Sequence, residues 1–362
     1  MAAKTPILIL GATGYIGGSV LARLLQHPQA QDFDITALVR NKDKAQKLEA
    51  FGVRAVVGSY KDDHTLVEKL AEDAHVVFQI VDADDLPAMQ ALLQGLQNRH
   101  ERTGDVPVLI HTSGSAIVIE GQDKGELVRE RVWDDTDDAA LAGISPAALH
   151  RNVDAAVFAA DVAGYARTYQ ISPGTMYGAP AGALAAAGVQ HTHSIQVPLL
   201  IRAALARGRA GMVGRGLPRW GNVHVDDAAD LFVLLFDAVT ARGADNVGHG
   251  THGYYFAGND EAAWRDIARA IGDALRALGR TRDAAPTPFS DAELAQYFFS
   301  YEIGQLWGTN SRFRASRAKA LGWEPKHTTA DLLASIRPEV EAIIRESKVA
   351  KRRSWLSRWW RM

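Results

Sequence analysis

Three glycines at regular spacing carry the first piece of chemistry in this chain. The apolar run Ile7-Leu8-Ile9-Leu10 passes straight into Gly11-Ala12-Thr13-Gly14-Tyr15-Ile16-Gly17-Gly18, and Val20, Leu21, Leu24 and Leu25 follow at helical spacing. A buried strand, a glycine turn and an amphipathic helix, in that order, aim the N–H groups of a helix start at a pyrophosphate. Gly11 permits the tight turn, Gly14 lets backbone N–H groups approach phosphate oxygens, and Gly17 lets the helix lie close on the sheet. Thr13, Tyr15 and Ile16 complete the predicted cofactor-binding segment. A second strand, Ile35 to Val39, ends at Arg40, with Asn41, Lys42 and Lys44 behind it. An acid there would bind both ribose hydroxyls and repel a 2′-phosphate, whereas an arginine offers that phosphate a forked cation. The residues therefore predict NADP(H) in preference to NAD(H), with Arg40 as the clamp and Lys44 as a second charge.

These residues need a scaffold, and the pattern along the chain supplies one. Helices are expected at about 42–51, 64–70, 86–100 and 146–162, alternating with strands at 55–57, 75–81, 106–111 and 168–171. Alternation of this kind predicts an α/β architecture, a Rossmann-type doubly wound parallel sheet. Beyond residue 178 the pattern changes. Residues 182–221 are rich in Gly and Ala with a helix near 198–206, and 258–338 read as mostly helical, with Trp264, Ile267, Ile271 and Leu275 on one face. No internal repeat interrupts the chain.

Composition narrows the function classes. The 362 residues are 47% hydrophobic and carry a formal net charge of −2, so no global field draws the chain to nucleic acid. Cysteine is absent, which excludes disulfides, thiol catalysis and cysteine-bound metal. The first strand begins within about five residues of Met1 and no apolar run approaches the roughly 20 residues of a membrane span. The expected location is the cytoplasm, and the expected partner a small-molecule substrate; oligomeric state is not legible.

The glycine spacing is Gly-x-x-Gly-x-x-Gly, and later segments join it in a consistent set: Pro173-Gly174-Thr175-Met176-Tyr177-Gly178, Asn222-Val223-His224-Val225-Asp226-Asp227-Ala228-Ala229, and Leu321-Gly322-Trp323-Glu324-Pro325. Together they resemble the extended and atypical branches of the short-chain dehydrogenase/reductase superfamily, the NAD-dependent epimerase/dehydratase-like group, over most of residues 6–340. The resemblance implies a dinucleotide-binding domain of residues 1–180 to which 222–258 return. It also implies a smaller, mostly helical C-terminal substrate domain of 181–221 and 259–345, with the active site between the two.

It further implies a serine after the fifth strand and a Tyr-x-x-x-Lys pair on the next helix. Ser115, in His111-Thr112-Ser113-Gly114-Ser115-Ala116, takes the serine position, but no Tyr-x-x-x-Lys occurs anywhere. His150-Arg151-Asn152-Val153-Asp154 stands where the pair is due. His150 and Asp154 are four apart and share a helix face if both are helical. A carboxylate beside an imidazole fixes its tautomer and favours its charged form, which suits a proton donor. The expectation is that His150 replaces the tyrosine, Asp154 orients it, Ser115 bonds the substrate carbonyl, and Tyr177 is the reserve donor.

Other polar clusters are weaker. His191 and His193 lie in a Gly/Ala-rich loop with no carboxylate nearby in sequence, so no metal site is expected there or at His224. Arg312 and Arg314 occupy a region whose arginines, in extended members, often hold a substrate phosphate or carboxylate. Residues 346–362 form a basic, Trp-rich tail, with Lys348, Lys351, Arg352, Arg353, Arg358 and Arg361 around Trp355, Trp359 and Trp360. That composition suits an anionic membrane surface or an acidic partner. The leading expectation is an NADP(H)-dependent oxidoreductase acting on a small carbonyl or alcohol. The alternatives are a non-catalytic dinucleotide-sensing regulator resembling NmrA-like proteins, and an epimerase/dehydratase-like enzyme on a nucleotide sugar.

Overall fold

The computed structural model describes residues 4–121, 123–241 and 247–359, with side chains described through residue 347. Strand β1 (Thr5–Leu10) sits inside a seven-stranded sheet because both its faces are apolar. Ile7 and Ile9 enter one buried layer, Leu8 and Leu10 the other. It leads to α1 (Tyr15–Leu25), β2 (Phe33–Val39), α2 (Lys42–Glu49), β3 (Arg54–Val57), α3 (His64–Glu72), β4 (Val76–Gln79), α4 (Leu86–Thr103) and β5 (Val108–Thr112). The short β6 (Trp133–Asp134) and α5 (Asp138–Ala142) precede α6 (Arg151–Val162), β7 (Arg167–Pro173) and β8 (Thr175–Tyr177). Then come α7 (Ala183–Ala186), α8 (Gln196–Arg207), β9 (Gly211–Met212), β10 (Arg219–His224), α9 (Val225–Thr240) and β11 (Tyr254–Ala257). The chain closes with β12 (Asp260–Ala263), α10 (Trp264–Ala277), β13 (Thr287–Pro288), α11 (Asp291–Tyr297), α12 (Tyr301–Gln305), β14 (Phe313–Arg314), α13 (Ser316–Ala320) and α14 (Thr329–Trp359).

The main sheet has the order β11-β7-β5-β4-β1-β2-β3, with every pair parallel. Helices α1 and α9 cover one face through Val20, Leu21, Leu24, Leu231 and Leu235. Helices α3, α4 and α6 cover the other through Val67, Leu70, Leu92, Leu96, Val153 and Val157. This is the doubly wound arrangement the alternating sequence predicts, and it puts the C-terminal ends of β1, β4 and β5 along one edge, where such sheets bind ligands.

A separate core gathers side chains from α8, α10, α11 and α14, among them Leu200, Ile201, Ile267, Ile271, Leu294, Leu332 and Ile336. Its centre is aromatic. Trp264 lies 5.7 Å from Trp220 and 6.3 Å from Trp307, and Phe298 packs 4.8 Å from Trp307. The small sheet β12-β10-β8 joins this core to the large one.

Two boundaries differ from expectation. The helix expected from about residue 146 begins at Arg151, because His150 takes a left-handed backbone with φ 67° and interrupts the α path. The tail boundary at 346 is not a structural break, since α14 runs through it from Thr329 to Trp359. Residues 360–362, and the side chains of the basic and tryptophan residues from 348 onward, lie outside the described residues. No helix among the described residues is long and apolar enough to cross a membrane.

Candidate functional site

The glycine turn has the geometry that its spacing requires. Gly11 has φ 93°, and a Cβ there would stand 2.0 Å from the Ile80 carbonyl oxygen. A Cβ on Gly17 would stand 2.2 Å from the Gly11 carbonyl oxygen, so this glycine sets the helix against the turn. Gly14 caps α1, its N–H donating to Gly11 O at 2.8 Å, and a Cβ there would meet only Gly11, at 3.0 Å. Beyond that tight contact no other group among the described residues lies within 4 Å of the position, which leaves the helix start approachable by a phosphate.

The remaining turn residues are tied to a segment that crosses over the start of α1. Thr13 O accepts from His191 N at 2.9 Å, and the Gln190 amide donates to Tyr15 O at 2.9 Å and Ser19 Oγ at 2.7 Å. Tyr15 donates its hydroxyl to Gly178 O at 2.5 Å, and burial holds its phenol well above the ordinary tyrosine value. Ile16 packs against the main core.

At the end of β2, Arg40 is exposed and Asn41 caps α2 by accepting from Lys44 N at 3.0 Å. The Lys44 ammonium is pushed below its ordinary value by partial burial, then by the like charges of Lys47 and Arg40. Neither Arg40 nor Lys44 has a carboxylate partner among the described residues. Clustered cations without counter-ions are suited to an anion.

The expected pairing of His150 with Asp154 is corrected by the structure. His150 is the residue before α6 rather than within it, so the rule that places residues four apart on one face does not apply. Its Nδ1 instead meets Asp84 Oδ1 at 2.8 Å, from the loop after β4. The hydrogen bond from His150 holds the Asp84 carboxyl below its ordinary value, against partial burial. Asp154 is completely buried. Its Oδ2 accepts from Ser113 Oγ at 2.9 Å, and its Oδ1 lies 3.2 Å from His111 Nε2, while His111 Nδ1 meets Gln79 Oε1 at 2.6 Å. Asp154 therefore fixes the end of β5 and does not touch the imidazole of His150.

His150 and the Ser115 segment are nevertheless brought together. A Cβ on Gly114 would lie 2.8 Å from His150 Nε2, so the missing side chain of Gly114 is what lets the imidazole lie against this loop. Ser115 is 1% exposed, and its hydroxyl has no hydrogen-bond partner. Its carbonyl accepts from Ser311 Oγ at 2.7 Å, which ties the loop to the second core. Tyr177 is engaged by other groups. Its hydroxyl donates to Thr328 O at 2.8 Å, its ring meets His224 edge-on at 5.2 Å, and burial pushes its phenol well above the ordinary value.

A cavity of about 390 Å³ is lined by residues that flank Ser115 and His150 in the chain. Ala116, Ile117 and Ile119 continue from Ser115 along one wall, Ala147, Ala148 and Leu149 precede His150 along another, and Tyr301, Gln305 and Leu306 close the third. Asp84, Gly114, Tyr301 and Gln305 were not legible as site residues. The one usable signal was the acidic run Asp82 to Asp85 just after a parallel strand, at the sheet edge where ligands bind.

Two further expectations change. His193 does have carboxylates nearby, from α14: its Nε2 lies 2.6 Å from Glu346, and its Nδ1 bonds Glu339. The carboxylates sit at opposite ring nitrogens, which makes a clasp, and no group of metal-binding geometry occurs among the described residues. Arg312 is spent on Glu261, 3.0 Å away, and on the Arg129 carbonyl at 2.8 Å. Arg314 remains exposed.

Sheet order and glycine turn define a Rossmann-type fold of the kind that binds a dinucleotide. The model of the NmrA-like family matches residues 3–95. An oxidase, UcsJ, from Acremonium sp. is 33% identical over 338 residues, covering 88% of this chain and 92% of its own. An uncharacterised protein of Schizosaccharomyces pombe is 25% identical, covering 89% and 96%. Among solved structures, the UDP-glucose 4-epimerase of Thermotoga maritima superposes with a TM-score of 0.62 at 15% identity, covering 94% of this chain and 99% of that one. The chain belongs with UcsJ to the extended and atypical short-chain dehydrogenase/reductase superfamily.

Proposed function

We propose that the protein is an NADPH-dependent reductase of a small carbonyl compound, with His150 as proton donor, Asp84 as its orienting carboxylate and Ser115 as hydrogen-bond donor to the carbonyl oxygen. The observation that carries this is the placement of His150, held through Nδ1 by Asp84 and lying against Gly114, next in the chain to the cavity-lining Leu149. The residues fit the cofactor: Gly11 and Gly17, where a Cβ would strike backbone, let the turn close tightly with Gly14 at the helix start, and Arg40 and Lys44 are free to meet a 2′-phosphate. When bound, the reduced nicotinamide supplies the hydride that forms the new C–H bond. Nδ1–H of His150 bonded to Asp84 leaves Nε2, on the Gly114 side, without a protein partner among the described residues, and an imidazolium there would give its Nε2 proton to the carbonyl oxygen as the C=O π bond breaks. The alcohol leaves, and His150 recovers its proton from solvent. Ser115 Oγ–H, buried and uncommitted, stabilises the negative charge that grows on that oxygen. Residues 181–221 and 259–345 supply the substrate side, and Tyr177 has a packing role.

The test is consumption of NADPH with a panel of ketones and aldehydes, alongside titration of NADPH and NADH. Tighter binding of NADPH and oxidation of NADPH by at least one carbonyl compound are expected. The match to the NmrA-like family over the first strands and helices favours one other reading, a dinucleotide-binding regulator without turnover. Tight NADPH binding with no turnover across the panel would select it.

A further inference from the structure

The cavity lined by the chain neighbours of Ser115 and His150 has a chemical character of its own, and the inference from it rests on the roles proposed for those two residues. At about 390 Å³ it falls within the range of sites for small organic molecules. Its walls are apolar next to the proposed reacting groups: Ile117 and Ile119 follow Ser115, and Leu149 directly precedes His150. Leu149 is 43% exposed, an aliphatic side chain left facing water at the rim. Covering such a surface with an apolar ligand is favourable, whereas a hydrated sugar would gain nothing from it.

Charge points the same way. The described lining residues include one cation, Lys124, and one carboxylate, Glu302, both exposed. No arginine is among them. A phosphate ester or nucleotide sugar calls for forked cations that can bond its oxygens in pairs. The cluster of Arg219, Arg312, Arg314 and Lys319 lines a different hollow. Inside the cavity, the Tyr301 hydroxyl and the Gln305 amide make no hydrogen bond within the described residues and are available to a ligand. We infer that the substrate is a ketone or aldehyde on an uncharged, apolar body, with Tyr301 and Gln305 reading one polar substituent and Ala148 and Leu149 setting the permitted bulk.

The experiment uses the full chain with α-tetralone, dihydroxyacetone and UDP-glucose as probes. NADPH oxidation is followed for each, and calorimetry measures binding of each probe to protein saturated with NADP⁺. Turnover and binding of α-tetralone should exceed those of the polar probes by about tenfold or more. Ala148→Phe, which fills the cavity, should weaken α-tetralone binding by about tenfold while NADPH affinity stays the same. Leu149→Gln at the rim, a change on an exposed residue, should weaken it by several-fold and serves if the larger side chain disturbs folding. Reduction of dihydroxyacetone or conversion of UDP-glucose in preference to α-tetralone would overturn the substrate class and leave the reductase intact. Binding of α-tetralone that responds to Ala148→Phe, without turnover of any probe, would uphold the cavity and overturn the proton-donor roles. Absence of α-tetralone binding by calorimetry overturns the inference outright.

Discussion

Replacing Asp84 tests the proposed proton donor at one remove. Asp84→Asn keeps an acceptor oxygen near Nδ1 of His150 and removes the charge, so the imidazole keeps its orientation and loses stabilisation of its protonated form. A charge-assisted hydrogen bond is worth about 1.5–3 kcal/mol when shielded from water. The Asp84 side chain is 55% exposed against 17% for His150, so screening brings the charge effect down to about 1 kcal/mol. That corresponds to a fall in kcat of roughly fivefold. His150→Ala should cost about 100-fold or more, the ordinary magnitude for a removed general acid. The double variant separates the two effects: if Asp84 acts only through His150, Asp84→Asn costs nothing further once His150 is alanine. Single-turnover reduction with saturating NADPH is the assay, with cofactor affinity measured in parallel. Asp154→Ala is the contrast, since it leaves His111 and Ser113 buried without their acceptor, at about 1–3 kcal/mol for each lost partner. It should lower Tm sharply. Full activity of His150→Ala, or an equal Asp84→Asn penalty with and without His150, would refute the assignment.

Four other outcomes follow from the same geometry. Arg40→Asp should erase or reverse the preference for NADPH over NADH in titrations, at a cost of about 1.5–3 kcal/mol in NADPH binding. Gly14→Val should abolish dinucleotide binding and lower Tm less than Gly17→Val, since its Cβ would stand 3.0 Å from the Gly11 carbonyl oxygen against 2.2 Å for Gly17. Tyr177→Phe should leave kcat nearly unchanged, its hydroxyl being engaged on Thr328. The hydrogen bond that His193 donates to Glu339, against partial burial and with that to Glu346, raises its folded-state pKa above the ordinary 6.5. The clasp therefore stabilises fully below that value and fades as pH rises through the raised one, so the Tm difference between the unmodified protein and His193→Gln should be largest in mild acid and shrink above neutrality.

What the sequence makes legible is what is local. The glycine turn, the strand and helix alternation and the cationic end of β2 each depend on neighbours a few positions away, and the three-dimensional arrangement agrees with them. The partner of His150 was out of reach for a specific reason: Asp84 lies on another loop, and a single left-handed residue at the helix start turns the imidazole off the face it would share with Asp154. His193 and its two glutamates are likewise distant in the chain, as are Ser311 and Ser115. Side-chain pairings between elements are set by how the elements pack, and spacing along one element carries no trace of them.

The chain crosses between its two cores repeatedly. After β8 it enters the second core, returns through α9 and β11 to the large sheet, and leaves again at β12. Neither half can therefore be excised as a cassette, because each cut that frees one core severs strands or helices of the other. Exchange of substrate preference between relatives would have to proceed by point changes around the cavity, and a chimaera joined at a single position would inherit two incomplete cores. A protease that nicks an exposed loop would leave fragments that remain bound to one another, held as an interleaved pair that melts as a unit.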